Sequence, residues 1–272
     1  MKSSIIDSIK SLPPLSKTIL DVNKVYADPD SSVNDMAMAI EHDPMIIANL
    51  LKAANSALYG FAKEINNPKQ AVMLFGMSMT RSIALTNAVR KLLNVDLQPY
   101  GITPERFAEV SELQANLIMQ WYKKIDKSQA DKLYLAAFLQ ETGKILIASE
   151  VIEDDETTSF SSEVELSNNI SQVEKMYVGV TTAEVTAKVF EHWSFDDEFV
   201  AMILHSENPS NAPKEIQEYA FALNIVRTIM PINNPLSEVA INFGLKKAKD
   251  AGYDTEILSE AIEDIRHKLE SK

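Results

Sequence analysis

Residues 43–60 read DPMIIANLLKAANSALYG, and this stretch decides the fold class. Asp43-Pro44 is a helix start. The aspartate can accept from the unpaired N–H groups of the first turn, and proline at the first helical position has no N–H to strand. Ile47, Leu50, Leu51 and Ala54 then recur at three and four, the spacing of one helical face. Asn55, Ser56 and Gly60 supply the stop. The same grammar repeats outward. On the N-terminal side, Ser32 with Asp35 reads as a capping box opening a short helix that carries Val33, Met36, Ala37 and Ile40. On the C-terminal side, Asn67-Pro68 leads into Ala71, Val72 and Phe75. Gly76 interrupts, and 77–93 continues as a longer helix through Ile83, Leu85 and Val89.

The helical pattern persists beyond this core. Residues 97–103, with Pro99 and Gly101, read as a connector and the best domain boundary. They divide the chain into an N-terminal helical part, 1–98, and a helical bundle, 99–272. Thr103-Pro104-Glu105 joins a cap, a proline and an acidic first turn. The helix after it buries Phe107, Val110, Leu113, Leu117 and Trp121, and ends on Lys123-Lys124. Residues 130–149 read as one helix through Leu133, Ala137 and Phe138. Residues 153–162, EDDETTSFSS, are acidic and polar and read as an exposed loop. Helices resume over 163–176, 182–192, 197–206, 214–230, 235–243 and 254–269. No strand alternation stands out, so the expectation is an all-α protein.

Composition narrows the function classes. The chain has 272 residues, 46% of them apolar and 24% charged, which excludes wholesale disorder. Only 7 residues are glycine, with no Gly-x-Gly-x-x-Gly and no Walker A, so dinucleotide and P-loop chemistry are not expected. The 39 acidic and 26 basic residues give a net charge of −13, which repels phosphate backbones and disfavours nucleic acid as a partner. Cysteine is absent, which removes disulfides, thiolate zinc sites and Cys nucleophiles and fits a reducing cytoplasm. The opening MKSSIIDSIKSLPPL has no long apolar core, so no signal peptide is expected. No apolar run approaches the roughly 18 residues of a membrane span, so no membrane partner is expected either.

The stretch from Leu12-Pro13 through Asp43-Pro44, the Leu50–Ser56 run LLKAANS, and Tyr59-Gly60 resembles the opening of the HDOD family. These proteins are degenerate relatives of the HD and HD-GYP metal-dependent phosphohydrolases. Gln70-Ala71-Val72 with Leu74-Phe75-Gly76 is similar to a further family turn, and the resemblance runs on through 136–144 and 193–205, to about Ile229. It implies an all-α fold with an N-terminal helical subdomain packed on a degenerate HD-type bundle. It also implies a bacterial, cytoplasmic, signalling role exercised through a protein partner or small ligand, without a cofactor.

HD enzymes hold divalent metals through histidines and a His-Asp pair. Carried over by position, the first histidine falls near Val110, the His-Asp pair on Gln140-Glu141 and the next histidine near Thr182. A later one is kept as His205, with Ser206 where a second histidine is usual. Only His42, His192, His205 and His267 exist, and none pair at metal-binding spacing. One imidazole and one glutamate do not make a catalytic shell, and an amide is a poor ligand, so no metal is expected. Gln140, Glu141 and His205 are instead expected to converge as a vestigial pocket. The plainer readings are a satisfied buried amide for Gln140, a lysine pair or backbone cap for Glu141, a core histidine for His205, and a helix end for His192-Trp193.

Asn55, Ser56, Tyr59 and Gly60 form a candidate partner-binding group by the family pattern, and a plain helix cap and turn by local chemistry. The methionines at 36, 38, 45, 73, 77 and 79 read as core filler or, alternatively, as a pliable interface. No Gly-x-Ser-x-Gly elbow occurs, and the acidic pairs Asp154-Asp155 and Asp196-Asp197 are sequence neighbours that do not share a helix face. Three functions follow in order: a non-catalytic signalling module; a metal-dependent phosphohydrolase with a non-standard site around Glu141 and His205; and a helix-turn-helix DNA-binding regulator over 33–54. The last has the wrong charge, with Lys52 alone against Asp35 and Glu41.

Overall fold

A computed structural model describes residues 2–56, 58–59, 64–92, 96–167 and 169–270. Among the described residues every regular element is helical, as the sequence predicts. The chain opens with α1 (Ser3–Ser11) and α2 (Lys17–Ala27), followed by α3 (Val33–Ile40), α4 (Pro44–Ala54) and α5 (Pro68–Leu92). A short 3-10 turn at Gln98–Tyr100 precedes α6 (Pro104–Tyr122), α7 (Lys127–Leu139), α8 (Gly143–Glu153), α9 (Thr157–Leu166) and α10 (Ile170–Val178). Then come α11 (Thr182–His192), α12 (Asp197–Leu204), α13 (Lys214–Ile229), α14 (Glu238–Asp250) and α15 (Thr255–Glu270).

The local start signals form as read. Asp43 Oδ1 accepts from the N–H of Met45 and of Ile46 at 3.1 Å each. The Ser32–Asp35 capping box is complete in both directions. Thr103 Oγ1 accepts from Arg106 N at 3.2 Å, and Asn67 Oδ1 from Lys69 N at 2.9 Å. At Gly76 the backbone takes φ 75°, ψ 176°, which kinks α5 where the glycine was read as a break.

Two compact units result, and neither is contiguous in sequence. One comprises Met1–Leu12 and Leu93–Ala261, the other Pro13–Leu92 and Ile262–Lys272. The first therefore takes in α1, which a cut at 98/99 assigns to the N-terminal part. Ile5 and Ile9 bury one face of α1, and Leu12 O lies 3.2 Å from His192 Nε2 at the end of α11. The core of this unit includes Trp121, Tyr122, Tyr134 and Phe190, all fully buried. In the second unit Ile19, Met36, Ile40, Leu50 and Leu85 are fully buried. The methionines divide: Met36 and Met79 are buried, whereas Met38, Met45 and Met73 are more than half exposed.

Two expectations are corrected. Residues 153–162 are not a loop: α9 occupies 157–166, because Phe160 and Val164, four apart, bury one face of an otherwise solvated helix. Phe160 packs edge-on to Tyr100 and Tyr177, each at 5.2 Å between ring centroids. Residues 130–149 are not one helix. Gln140 caps the C-terminus of α7, Thr142 Oγ1 donates to Leu139 O at 2.7 Å, and Gly143 N donates sideways to Thr186 Oγ1 at 2.8 Å. Sharp turns at 140–142 thus replace a continuous helix, and α8 starts again against α11.

Gly143 permits that approach. A Cβ here would stand 2.4 Å from Thr182 O and 2.9 Å from Thr186 N, both backbone atoms that cannot rotate away. Gly143→Ala should therefore cost roughly 3 kcal/mol, the upper end for overpacking, and lower the melting temperature by several degrees. Thermal unfolding followed by circular dichroism checks this, and an unchanged melting temperature would mean that α8 and α11 can separate without loss.

Candidate functional site

The α7–α8 turn places Gln140 and Glu141 inside the first unit, at 0% and 2% exposure. Lys144 follows one helical turn later and is also buried. A buried carboxylate needs partners for both oxygens. Glu141 Oε1 accepts from Arg227 Nε at 3.0 Å and from Gln114 Nε2 at 3.2 Å. Glu141 Oε2 has Lys144 Nζ at 3.0 Å as an ion pair.

Each cation holds a second acid. Lys144 Nζ donates to Glu174 Oε1 at 3.1 Å and to Thr182 Oγ1 at 2.9 Å. Arg227 Nη1 donates to Glu207 Oε1 at 3.0 Å, and its Nη2 donates to the carbonyl of Gln140 at 3.1 Å. Glu174, fully buried on α10, is in turn saturated. It accepts from Thr182 N and Thr182 Oγ1 at 2.6 Å each, and from the Tyr100 hydroxyl at 2.9 Å. Gln140 Nε2 donates to Gln114 Oε1 at 2.9 Å, and Gln114 Nε2 reaches Met230 O at 2.9 Å. Three carboxylates and two cations thus form one network across α6, α8, α10, α11 and α13.

The electrostatics follow from burial against ion pairing. Burial alone would push the Glu141 carboxyl up, but the charges of Arg227 and Lys144 outweigh it and hold it at about 2. Burial would pull Lys144 down, yet Glu141 and Glu174 raise it above its ordinary value. Arg227 is raised by Glu141 and Glu207 against the same penalty, and Glu207 is lowered chiefly by Arg227. Glu141, Glu207, Lys144 and Arg227 are therefore each driven towards the charged form.

These residues do not fit a divalent metal. Gln140 donates its amide nitrogen to Gln114 and keeps a buried oxygen without a hydrogen-bond partner, but both Glu141 oxygens face protein cations, so an incoming ion would meet like charge. Val110 and Thr182, at the other positions of the pattern, offer an aliphatic side chain and a hydroxyl already bonded to Glu174. Among the described residues no group of three or more His, Cys, Asp or Glu could hold a metal ion.

The predicted residues divide. Gln140 and Glu141 sit together in the network. His205 is the half-buried C-cap of α12, and the residue of its turn that joins the network is Glu207, through Arg227. Ser206 beside it is fully buried, and Asn224 Nδ2 holds its carbonyl at 2.6 Å. Sequence reading missed Lys144, Glu174, Glu207 and Arg227 as named members. The legible signals were Glu141 and Lys144 at i,i+3, and Arg227 as a lone cation in the apolar run Ile225-Val226-Arg227.

In the second unit Asn55 caps α4 and closes the segment after it. Its Nδ2 donates to Leu51 O at 2.9 Å and to Ile65 O at 2.8 Å, while its Oδ1 accepts from Ile65 N at 2.8 Å. Ser56 N donates to Ala53 O at 2.9 Å. Tyr59 is half-buried and meets the Phe75 ring edge-on at 4.8 Å. Gly60 lies outside the described residues.

The HDOD domain family matches over residues 12–209. An uncharacterised protein of Treponema pallidum (strain Nichols) is 24% identical over 243 residues, 84% of this chain but only 44% of that protein, so the chain spans less than half the length of the curated relative it matches. An HDOD domain protein of unknown function from Geobacter sulfurreducens superposes with a TM-score of 0.73 at 19% identity, covering 98% of this chain and 94% of that one. A signal-transduction candidate from Marinobacter aquaeolei VT8 gives a TM-score of 0.75 at 21% identity, covering 98% of this chain and 60% of that one. At these identities the likeness is one of fold.

The network predicts an asymmetry between variants. Arg227→Met leaves three carboxylates, Glu141 and Glu174 among them buried, against one cation and should cost about 3–5 kcal/mol. Glu141→Gln leaves two against two and should cost distinctly less in urea denaturation. The acid limb gives a second readout. Because the folded Glu141 carboxyl lies at about 2, below its ordinary 4.5, its contribution is complete above pH 4.5 and drains away as the pH falls towards 2. The stability loss between those values should be shallower in Glu141→Gln than in wild type. Parallel acid limbs would mean that Glu141 is not held by these cations.

Proposed function

Because this chain belongs to the HDOD family, we propose that it is a non-catalytic signalling module that acts by binding a protein partner or a small ligand. The observation that carries this reading is the internal neutralisation of Glu141 by Lys144 and Arg227. In HD-type phosphohydrolysis the fold gathers metals that activate water against a phosphate ester. Here the carboxylate that stands at the pair position spends its charge on two side chains of its own chain. Glu141, Glu207 and Lys144 are not left poised as a general base, since these two acids are held ionised by cations and the lysine is held protonated. The net charge of −13 argues against the helix-turn-helix alternative.

Partner contact within the Asn55, Ser56, Tyr59 and Gly60 group would fall to Tyr59, because the Asn55 amide is committed to Leu51 and Ile65. Among the described residues no helix is long and apolar enough to cross a membrane, which leaves protein and small-molecule partners as the ones to test.

Metal analysis of the full chain purified without chelator, joined to a phosphoester and nucleotide turnover screen, tests the proposal. The expected result is no stoichiometric Mn, Fe, Ni or Zn, no shift in melting temperature on adding Mn²⁺, and no turnover. Stoichiometric metal with turnover that disappears in Glu141→Gln would overturn it and restore the phosphohydrolase reading.

A further inference from the structure

One face of α13 lines a cleft of about 580 Å³ in the first unit. Lys214, Gln217, Glu218 and Phe221 stand at i, i+3, i+4 and i+7, a single helical stripe. The turn between α14 and α15 adds Tyr253, and α15 adds Ile257. A cleft of this volume falls within the range that holds small molecules. The ring of Tyr253 is fixed from within the chain. Its hydroxyl donates to Glu218 O at 2.6 Å and lies 3.1 Å from the Tyr122 hydroxyl, and the Trp121 ring stands 4.9 Å away between centroids.

The charges of this lining stay open. Elsewhere on the surface, opposite charges one helical turn apart close on each other: Arg106 with Glu109 at 2.8 Å, Lys188 with Glu191 at 2.5 Å, and Arg266 with Glu263 at 3.3 Å. Lys214 and Glu218 have the same opportunity at i,i+4, in the less favourable order with the lysine first, and no ion pair forms between them. Lys214 Nζ has no hydrogen-bond partner among the described residues, and Glu218 Oε1 takes only a long bond of 3.4 Å from the Tyr122 hydroxyl. Both side chains are exposed, so a solute reaches them. Asp254, the other acid of the lining, has Oδ1 taken by Glu256 N at 2.8 Å. A purely anionic ligand would meet two acids here, and a purely cationic one would meet Lys214. A molecule that carries both charges side by side meets an opposite charge at each, while the rings take its apolar body.

We propose that this cleft binds an apolar α-amino acid. Its carboxylate pairs with Lys214, its ammonium with Glu218, and its side chain packs against Phe221 and Tyr253. The inference rests on the reading of this chain as a binding module and gives the small-ligand part of that reading a place and a chemistry. A bound amino acid would join α13, which also carries Arg227, to the turn between α14 and α15.

The test is titration of the full chain with L-phenylalanine, followed by backbone amide shifts in NMR. Phenethylamine, phenylpropionate and L-alanine, which lack the carboxylate, the ammonium and the ring in turn, are titrated alongside. The expected result is saturable shifts confined to the start of α13 and the turn between α14 and α15, with each charge-trimmed analogue about fivefold weaker, the upper end for an exposed ion pair. Alanine should bind more weakly still. Lys214→Met should abolish the advantage of phenylalanine over phenethylamine, and Glu218→Gln its advantage over phenylpropionate, both at an unchanged melting temperature. The proposal is overturned if phenylalanine gives no saturable shifts, if the shifts fall elsewhere in the chain, or if either charge-trimmed analogue binds as tightly as phenylalanine. Such a failure leaves the non-catalytic reading standing, since that reading is decided by metal content and turnover.

Discussion

The Glu141 carboxylate, carried into the interior by the turn between α7 and α8, must be neutralised from within the chain. Much of the first unit is arranged around how that is done. Lys144 supplies one cation from the first turn of α8, three residues on, a local solution that the i,i+3 spacing makes available. It is insufficient alone, because the carboxylate has two oxygens and a lone buried lysine would itself be costly. Arg227 from α13 covers the other oxygen. Each cation then draws in its own second acid, Glu174 from α10 and Glu207 from the turn after α12. One buried charge thus fixes the mutual placement of elements far apart in sequence.

Such a network is a poor source of net stability, since a well-packed apolar replacement can equal or exceed it. It is strongly position-dependent. A displacement of α13 by one residue would turn Arg227 away from Glu141, leaving one oxygen of that buried carboxylate without its cation. Gly143 works on the same joint from the steric side, by letting α8 approach the backbone of α11 at 182–186. Ion pairing and close approach therefore act on the same joint between α8, α11 and α13.

What the sequence made legible is what is decided locally. The caps at Ser32, Asp43, Asn67 and Thr103 are chemistry between residues two or three apart, and they form as read. The break after Gln140 was not legible, because the hydroxyl that takes the Gly143 N–H belongs to Thr186, on another helix. The helix at 157–166 hid behind its own solvated face, with Phe160 and Val164 as its only fully turned-in apolar signal. The missing imidazoles of the HD pattern could be counted directly. The pairing of Glu141 with Arg227 could not be read, since Arg227 is 86 positions away in the chain. His205 was the residue that pattern-matching singled out, yet the turn contributes through Glu207, whose reach depends on where Arg227 lies.

The site also constrains how the molecule can respond to a ligand. A metal centre assembled from imidazoles and carboxylates is incomplete until an ion arrives, so binding and ordering are coupled there. A centre closed by Lys144 and Arg227 is complete on folding. To admit a divalent ion at Glu141, both cations would have to withdraw, and Lys144 has only Glu174 and the Thr182 hydroxyl to retreat to within its buried setting. On the proposed reading, recognition falls to surfaces that the network leaves alone. In the second unit these include Met38, Met45 and Met73, whose flexible, polarisable side chains stand more than half exposed and can adapt to the shape of a partner.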